Sequence, residues 1–258
     1  MNSSLYRLVI LLFIALSALN VSAHNKHQEG YSYQKDWLKP SSGTEHIGKS
    51  HGEIALSSDG RIFISVLGDH GGIQEFSQDG KYLRHLPKSP KDIHGFVIIK
   101  EGNKEYIYAP TLFSYKIVKL DLDGNKVMEI DALKQIPAQY HNEITVHKKW
   151  IDKRKLRLSG IAVSDDGVIY VVDGYGRDYI HQFDAQGKYT KTLAGKGKPW
   201  QFSNCHKIAI DPRYIPKRLL CTDRNNDRLV HMNMDGALIG DYATHLLKPS
   251  AVAFFGNK

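Results

Sequence analysis

Cysteine is scarce: Cys205 and Cys221 are the only two in 258 residues. They are too few, and wrongly spaced, for a zinc–thiolate centre. Both fall in one expected hairpin whose register sets Cys221 diagonal to Cys205. Bridge geometry is strict, so that register disfavours a disulfide, although an oxidising compartment would permit one. Helical periodicity is also missing beyond residue 25, which argues against a helical or alternating α/β architecture. Acidic residues are outnumbered, 27 against 35 basic, for a formal net charge of +8. The only long apolar run is Leu8 to Leu19, too short to span a bilayer comfortably. Arg7 precedes it and Val21, Ser22 and Ala23 follow, so residues 1–23 read as a signal peptide; a membrane anchor is the alternative. A secreted or periplasmic protein without stable membrane insertion is expected.

A hydrophobic content of 41% with 24% charge describes a globular chain. Its basic balance would suit nucleic acid, an anionic surface or an acidic substrate. Export argues against nucleic acid, so none is expected as a partner. The dense basic run, from Lys148 and Lys149 through Lys153, Arg154, Lys155 and Arg157, reads as a solvated loop.

What the chain has in quantity is short strands closed by turn residues. From Ser159 to Leu193, four runs rich in β-branched and aromatic residues end at Asp166 and Gly167, at Asp173 and Gly174, and at Gln186 and Gly187. Such pairs supply the positive-φ residue of a tight hairpin, so the unit is a four-stranded antiparallel meander. Its first strand recurs: GEIAL from Gly52, HGFVI from His94, SGIAV from Ser159, HKIAI from His206 and SAVAF from Ser250, spaced 42, 65, 47 and 44 residues apart. A period of this size in strands alone is the signature of an all-β propeller with four-stranded blades. Blades are expected at about 50–88, 92–132, 158–195 and 205–243, with the first strand of a fifth at 248–255. Residues 24–50 form a polar leader, with one strand around Tyr31 to Trp37, and 134–155 is an insertion. A propeller closes its ring to remove sheet edges. A six-bladed ring would need roughly two further blades beyond Lys258, so an incomplete ring is expected, with a closed four-bladed ring as the alternative.

Antiparallel order puts the start of each first strand, each loop between strands two and three, and the links between blades on one face. That face carries His94, His206, the loop at Gly174 to Arg177, the loop at Asp223 to Asn226, the insertion, and Trp200. His94 and His206 hold the same position in blades two and four, where the others have Gly52, Ser159 and Ser250. First strands line the channel, so two imidazoles point toward the axis from alternate blades. Neutral imidazole is a common zinc ligand, and a catalytic zinc site keeps three protein ligands and one open position. The alternative is a hydrogen bond from each ring to a backbone carbonyl.

These features resemble the NHL-repeat six-bladed propellers, especially the peptidyl-α-hydroxyglycine α-amidating lyases and their bacterial relatives. The resemblance covers about Gly52 to Phe255 and is strongest at Val172 to Tyr175, at Gln201 and Phe202 before His206, and at Asp223 to Asn225 with Arg228 and Leu229. It implies zinc on His94 and His206, with Tyr175 at the metal as catalytic base. Arg224 would be the substrate-binding arginine, and calcium would be held partly by the backbone carbonyls of Ile54 and Phe96. The implied activity is zinc-assisted carbon–nitrogen cleavage of an α-hydroxyglycine-type substrate by a monomer. In the alternative, a non-catalytic propeller binds a peptide, glycan or small anionic ligand through Tyr175, Trp200 and Arg224. Gly68, Asp69 and His70 resemble a family loop in blade one, but Leu67 stands where the lyases have an arginine, and a leucine binds no carboxylate.

Overall fold

The computed structural model of the chain describes residues 34–42, 44–50, 53–68, 71–146 and 151–254. The expected signal peptide, Asp69, His70 and most of the leader strand lie outside them. The chain divides into two units, 1–37 and 38–258. Residues 34–37 of the first carry no strand.

The second unit is built from four antiparallel sheets, each formed by four strands consecutive in sequence. Blade one comprises β1 (Ile54–Leu56), β2 (Ile62–Val66), β3 (Gly72–Phe76) and β4 (Tyr82–His85). Blade two comprises β5 (Val97–Glu101), β6 (Lys104–Pro110), β7 (Lys116–Asp121) and β8 (Lys126–Asp131). The insertion folds into one helical turn, α1 (Ala132–Gln135), a 3-10 turn at Ala138–Tyr140, and a hairpin of β9 (Thr145–Val146) and β10 (Ile151–Asp152). α1 is the only α-helix among the described residues, and Asp131 caps it by accepting the Lys134 N–H at 3.2 Å. Blade three comprises β11 (Gly160–Val163), β12 (Ile169–Val172), β13 (Ile180–Phe183) and β14 (Tyr189–Leu193). Blade four comprises β15 (Cys205–Asp211), β16 (Arg218–Asp223), β17 (Arg228–Asn233) and β18 (Leu238–Ala243). The chain folds as a β-propeller.

Alternating strand residues face neighbouring sheets, and these faces make the core. Phe63, Ile73 and Leu86 of blade one meet Phe96, Ile107 and Val118 of blade two. Ile117 and Ile130 meet Ile161, Val171 and Phe183, with Ile136, Leu156 and Leu158 added by the segment between blades. Tyr170, Val172 and Ile180 meet Ile208, Leu219 and Val230. Each such side chain contributes ~1.5–3 kcal/mol when fully buried, so blade-to-blade contact dominates stability. Among the described residues no such cluster joins blade four to blade one.

The turns between strands work as the Asp-Gly and Gln-Gly pairs imply: Gly80, Gly167, Gly187 and Gly236 all hold φ of +80° to +88°. Gly174 departs from that rule. Its φ is not positive; a Cβ there would lie 2.2 Å from the Cys205 carbonyl oxygen and 2.5 Å from Ser159 Oγ. It is glycine because the loop presses against the next blade.

Two expectations are corrected. Cys205 and Cys221 are bridged, with Cα atoms 5.7 Å apart. Cys205 does lie diagonal to Cys221, pairing instead with Asp223, but a bulge between Cys205 and Ile208 adds a residue to β15 and brings the thiols together. Residues 249–254 carry no strand, because among the described residues no neighbouring strand completes a ladder with them. Val252, Ala253 and Phe254 nonetheless line the same axial cavity of about 440 Å³ as β1, β11, β15 and the start of β5.

A candidate active site at the head of the channel

Above that cavity a chain of hydrogen bonds starts on β2 of blade one and runs across the heads of the later first strands. Ser65 Oγ donates to the His94 carbonyl at 2.7 Å, and His94 Nδ1 donates to the Ser159 carbonyl at 2.9 Å. Ser159 Oγ donates to the His206 carbonyl at 3.0 Å, and His206 Nδ1 donates to the Ser250 carbonyl at 2.7 Å. The alternation of histidine with serine thus has a structural part: His94, Ser159 and His206 each fasten their blade to the segment that opens the next repeat. Gly95 and Gly160 allow the approach; a Cβ on Gly95 would lie 2.5 Å from the Ser159 carbonyl oxygen.

Both rings are buried, and their centres stand 5.0 Å apart, edge to face. Because a carbonyl only accepts, each neutral ring keeps its hydrogen on Nδ1 and turns the Nε2 lone pair toward the axis. There the two lone pairs meet one group, the hydroxyl of Tyr175, 3.1 Å from His94 Nε2 and 2.7 Å from His206 Nε2.

Tyr175 arrives from the loop between β12 and β13, which is held by buried carboxylates. Asp173 accepts the N–H groups of Arg157 at 2.6 Å and Arg177 at 3.1 Å; Asp178 accepts that of Cys205 at 2.7 Å. Burial pushes Asp173 up to about 7 and Asp178 up to about 6, against the pull of those N–H groups. Burial also raises the Tyr175 phenol, while the positive charge of Arg224 works the other way. Arg224 opens a 3-10 turn after β16, and its Nε donates to Ser250 Oγ at 3.0 Å. Asp223, the counterpart of Asp173, accepts the Ser203 N–H at 2.7 Å and pairs with Arg228 at 2.8 Å.

The structure therefore brings His94, His206 and Tyr175 together, with Arg224 close enough for its charge to act on the phenol. Ile54 and Phe96 lie lower, on the wall of the axial cavity. Trp200 is committed elsewhere, its indole donating to the Gly236 carbonyl at 2.8 Å. Sequence reasoning missed the pair formed across the channel by Glu53 of blade one and Lys207 of blade four, 2.5 Å apart. It also missed Asp173 and Asp178 as anchors of the Tyr175 loop; the signal was Asp173 and Asp223 closing the same strand in successive blades.

No family model matches the chain. Among solved structures it is similar to a streptogramin B lyase, at TM-score 0.53 and 17% identity over 78% of this chain and 57% of that one. It is also similar to a structural genomics protein of unknown function from Bacteroides thetaiotaomicron, at 0.51 and 11% over 75% and 43%. A virginiamycin B lyase from Staphylococcus aureus follows at 0.46 and 14%, over 76% and 70%. The chain thus spans about half the length of the first two. At such identities the likeness establishes the propeller fold and carries neither a blade number nor a reaction across.

Proposed function

We propose that the protein is an exported propeller of the six-bladed NHL type that cleaves a carbon–nitrogen bond in an α-hydroxyglycine-type substrate with the help of zinc. The observation that carries this reading is the meeting of two Nε2 lone pairs at one phenol. Two imidazole nitrogens and a phenol oxygen that converge on one point form a donor set suited to a divalent cation. His94 and His206 would hold zinc, with Tyr175 beside it; bound zinc supplies a Lewis acid that makes a substrate hydroxyl more acidic.

The chain's own groups have separate tasks. Tyr175, raised by burial, holds its proton at Oη and stands 2.7 Å from His206 Nε2; as a phenolate it would be the base for the substrate hydroxyl. Arg224 would orient the substrate carboxylate through charge-assisted hydrogen bonds. In the net reaction the carbinol carbon–nitrogen bond breaks, the hydroxyl becomes a carbonyl, and its proton ends on the departing amide nitrogen. The products are an amide and glyoxylate. The Cys205–Cys221 bridge supports export, since disulfides persist in oxidising compartments. Calcium would take the Ile54 and Phe96 carbonyls, with most of its 6–8 oxygens coming from elsewhere.

Metal analysis of the purified protein, followed by glyoxylate release from a peptidyl-α-hydroxyglycine, tests the reading, with His206→Ala as control. Zinc near one equivalent and His206-dependent glyoxylate are expected. Zinc without glyoxylate favours a ligand-binding propeller and points to Leu67, where the lyases have arginine. Absence of metal from the protein overturns the assignment.

A further inference from the structure

Beside the Tyr175 loop lies a second cavity, of about 330 Å³, walled by the insertion and by the loop itself. Its lining includes Arg154, Arg157, Arg177 and Lys196 against two carboxylates, Glu143 and Asp152. Asp152 is already neutralised: Arg154 grips it with two bonds of 2.8 Å, and Arg157 Nη1 lies 3.5 Å away. The wall therefore keeps a positive excess.

A second observation is independent of charge. Two residues that line it, Arg157 and Asn142, each keep a buried donor, Nε and Nδ2, that meets no acceptor. Asn142 is only 9% exposed. Leaving a buried donor unpaired costs ~1–3 kcal/mol, so a fold retains such groups where something else completes them. An amide and one tooth of a guanidinium fork, both lacking acceptors and both carried by residues of a cationic cavity, match the acceptors of an oxyanion.

We infer that this cavity is a binding site for a small oxyanion, a carboxylate or phosphate group, held by Arg157 and Asn142 with Lys196 at its side. Gly176, which follows Tyr175, forms part of the wall, so an anion here sits against the loop that carries the phenol. The site depends on neither zinc nor lyase chemistry. It also gives the basic run a use, since Arg154 and Arg157 turn inward to build a pocket.

Calorimetric titration of the intact protein with acetate and, separately, with inorganic phosphate tests this. Saturable 1:1 binding is expected. Loss of one charge-assisted hydrogen bond should weaken it about tenfold to a hundredfold in Arg157→Gln. Asn142→Asp preserves side-chain shape while replacing the donor with a like charge, and should abolish binding while the protein stays folded by circular dichroism. Lys126→Gln, in blade two, should bind like the parent. Tighter binding of acetate assigns a carboxylate, and tighter binding of phosphate a phosphoryl group. Failure of both anions to bind, or binding untouched by Arg157→Gln and Asn142→Asp, overturns the site.

Discussion

His94 and His206 stand edge to face with ring centres 5.0 Å apart, although they come from alternate blades, and the hydroxyl of Tyr175 faces both. Tyr175→Phe removes that hydroxyl and leaves the shape of the ring unchanged. The variant should lose ~1–3 kcal/mol of stability, the cost of withdrawing a partner from a buried nitrogen. Urea denaturation measures it, and an unchanged midpoint and slope would show that the phenol adds nothing to the fold.

The Cys205–Cys221 bridge closes a loop of sequence separation 16. Constraining a loop of that size stabilises by about 3 kcal/mol. Denaturation with and without reductant should differ by that order, and the difference should vanish in Cys205→Ser/Cys221→Ser.

Glu53 and Lys207 are 13% and 14% exposed, so each is a poorly solvated charge held by the other. Lys207→Met alone should destabilise, by a few kcal/mol, because it strands the carboxylate. Adding Glu53→Gln should recover most of the loss. If the double variant is as unstable as the sum of the singles, the two charges are not coupled.

His181 is fully buried, with Nδ1 bonded to Thr192 Oγ1 at 2.9 Å, and burial pushes it down to about 3 from an ordinary 6.5. Between those values the unfolded chain binds the proton and the folded one does not. Its contribution is full above pH 6.5 and falls as pH drops toward 3, by an amount on the order of 4 kcal/mol. His181→Leu should flatten that acid-side decline in stability measured from pH 3 to 7.

Asp173 works in the opposite sense. Raised from 3.8 to about 7, it binds a proton in the folded state that the unfolded chain has lost. Its contribution is full below pH 3.8 and declines as pH rises through about 7. Asp173→Asn should remove that decline, read from urea midpoints between pH 4 and 8.

The propeller was legible because its signals are local: a hairpin turn such as Gly167 or Gly187 and its flanking β-branched runs lie within a few residues of each other. The imidazole pair was legible because a repeat converts position into radius, placing His94 and His206 at equal depth in the channel. What escaped was decided at longer range. The bulge that bridges Cys205 to Cys221 follows from how β15 pairs with β16, and no single strand encodes it. Glu53 and Lys207 are 154 residues apart and adjoin only once four blades are assembled. Gly174 looked like a turn residue, but the reason for it is a carbonyl in the next blade.

The Glu53–Lys207 pair also decides what kind of seam joins the ends of the repeat. Both residues line the axial cavity beside the apolar wall from Ile54 and Val97 to Phe254, and their contact runs from blade one to blade four. Among the described residues no buried apolar cluster spans that seam, whereas each successive pair of blades shares one. Charge therefore does there what greasy faces do between the other blades.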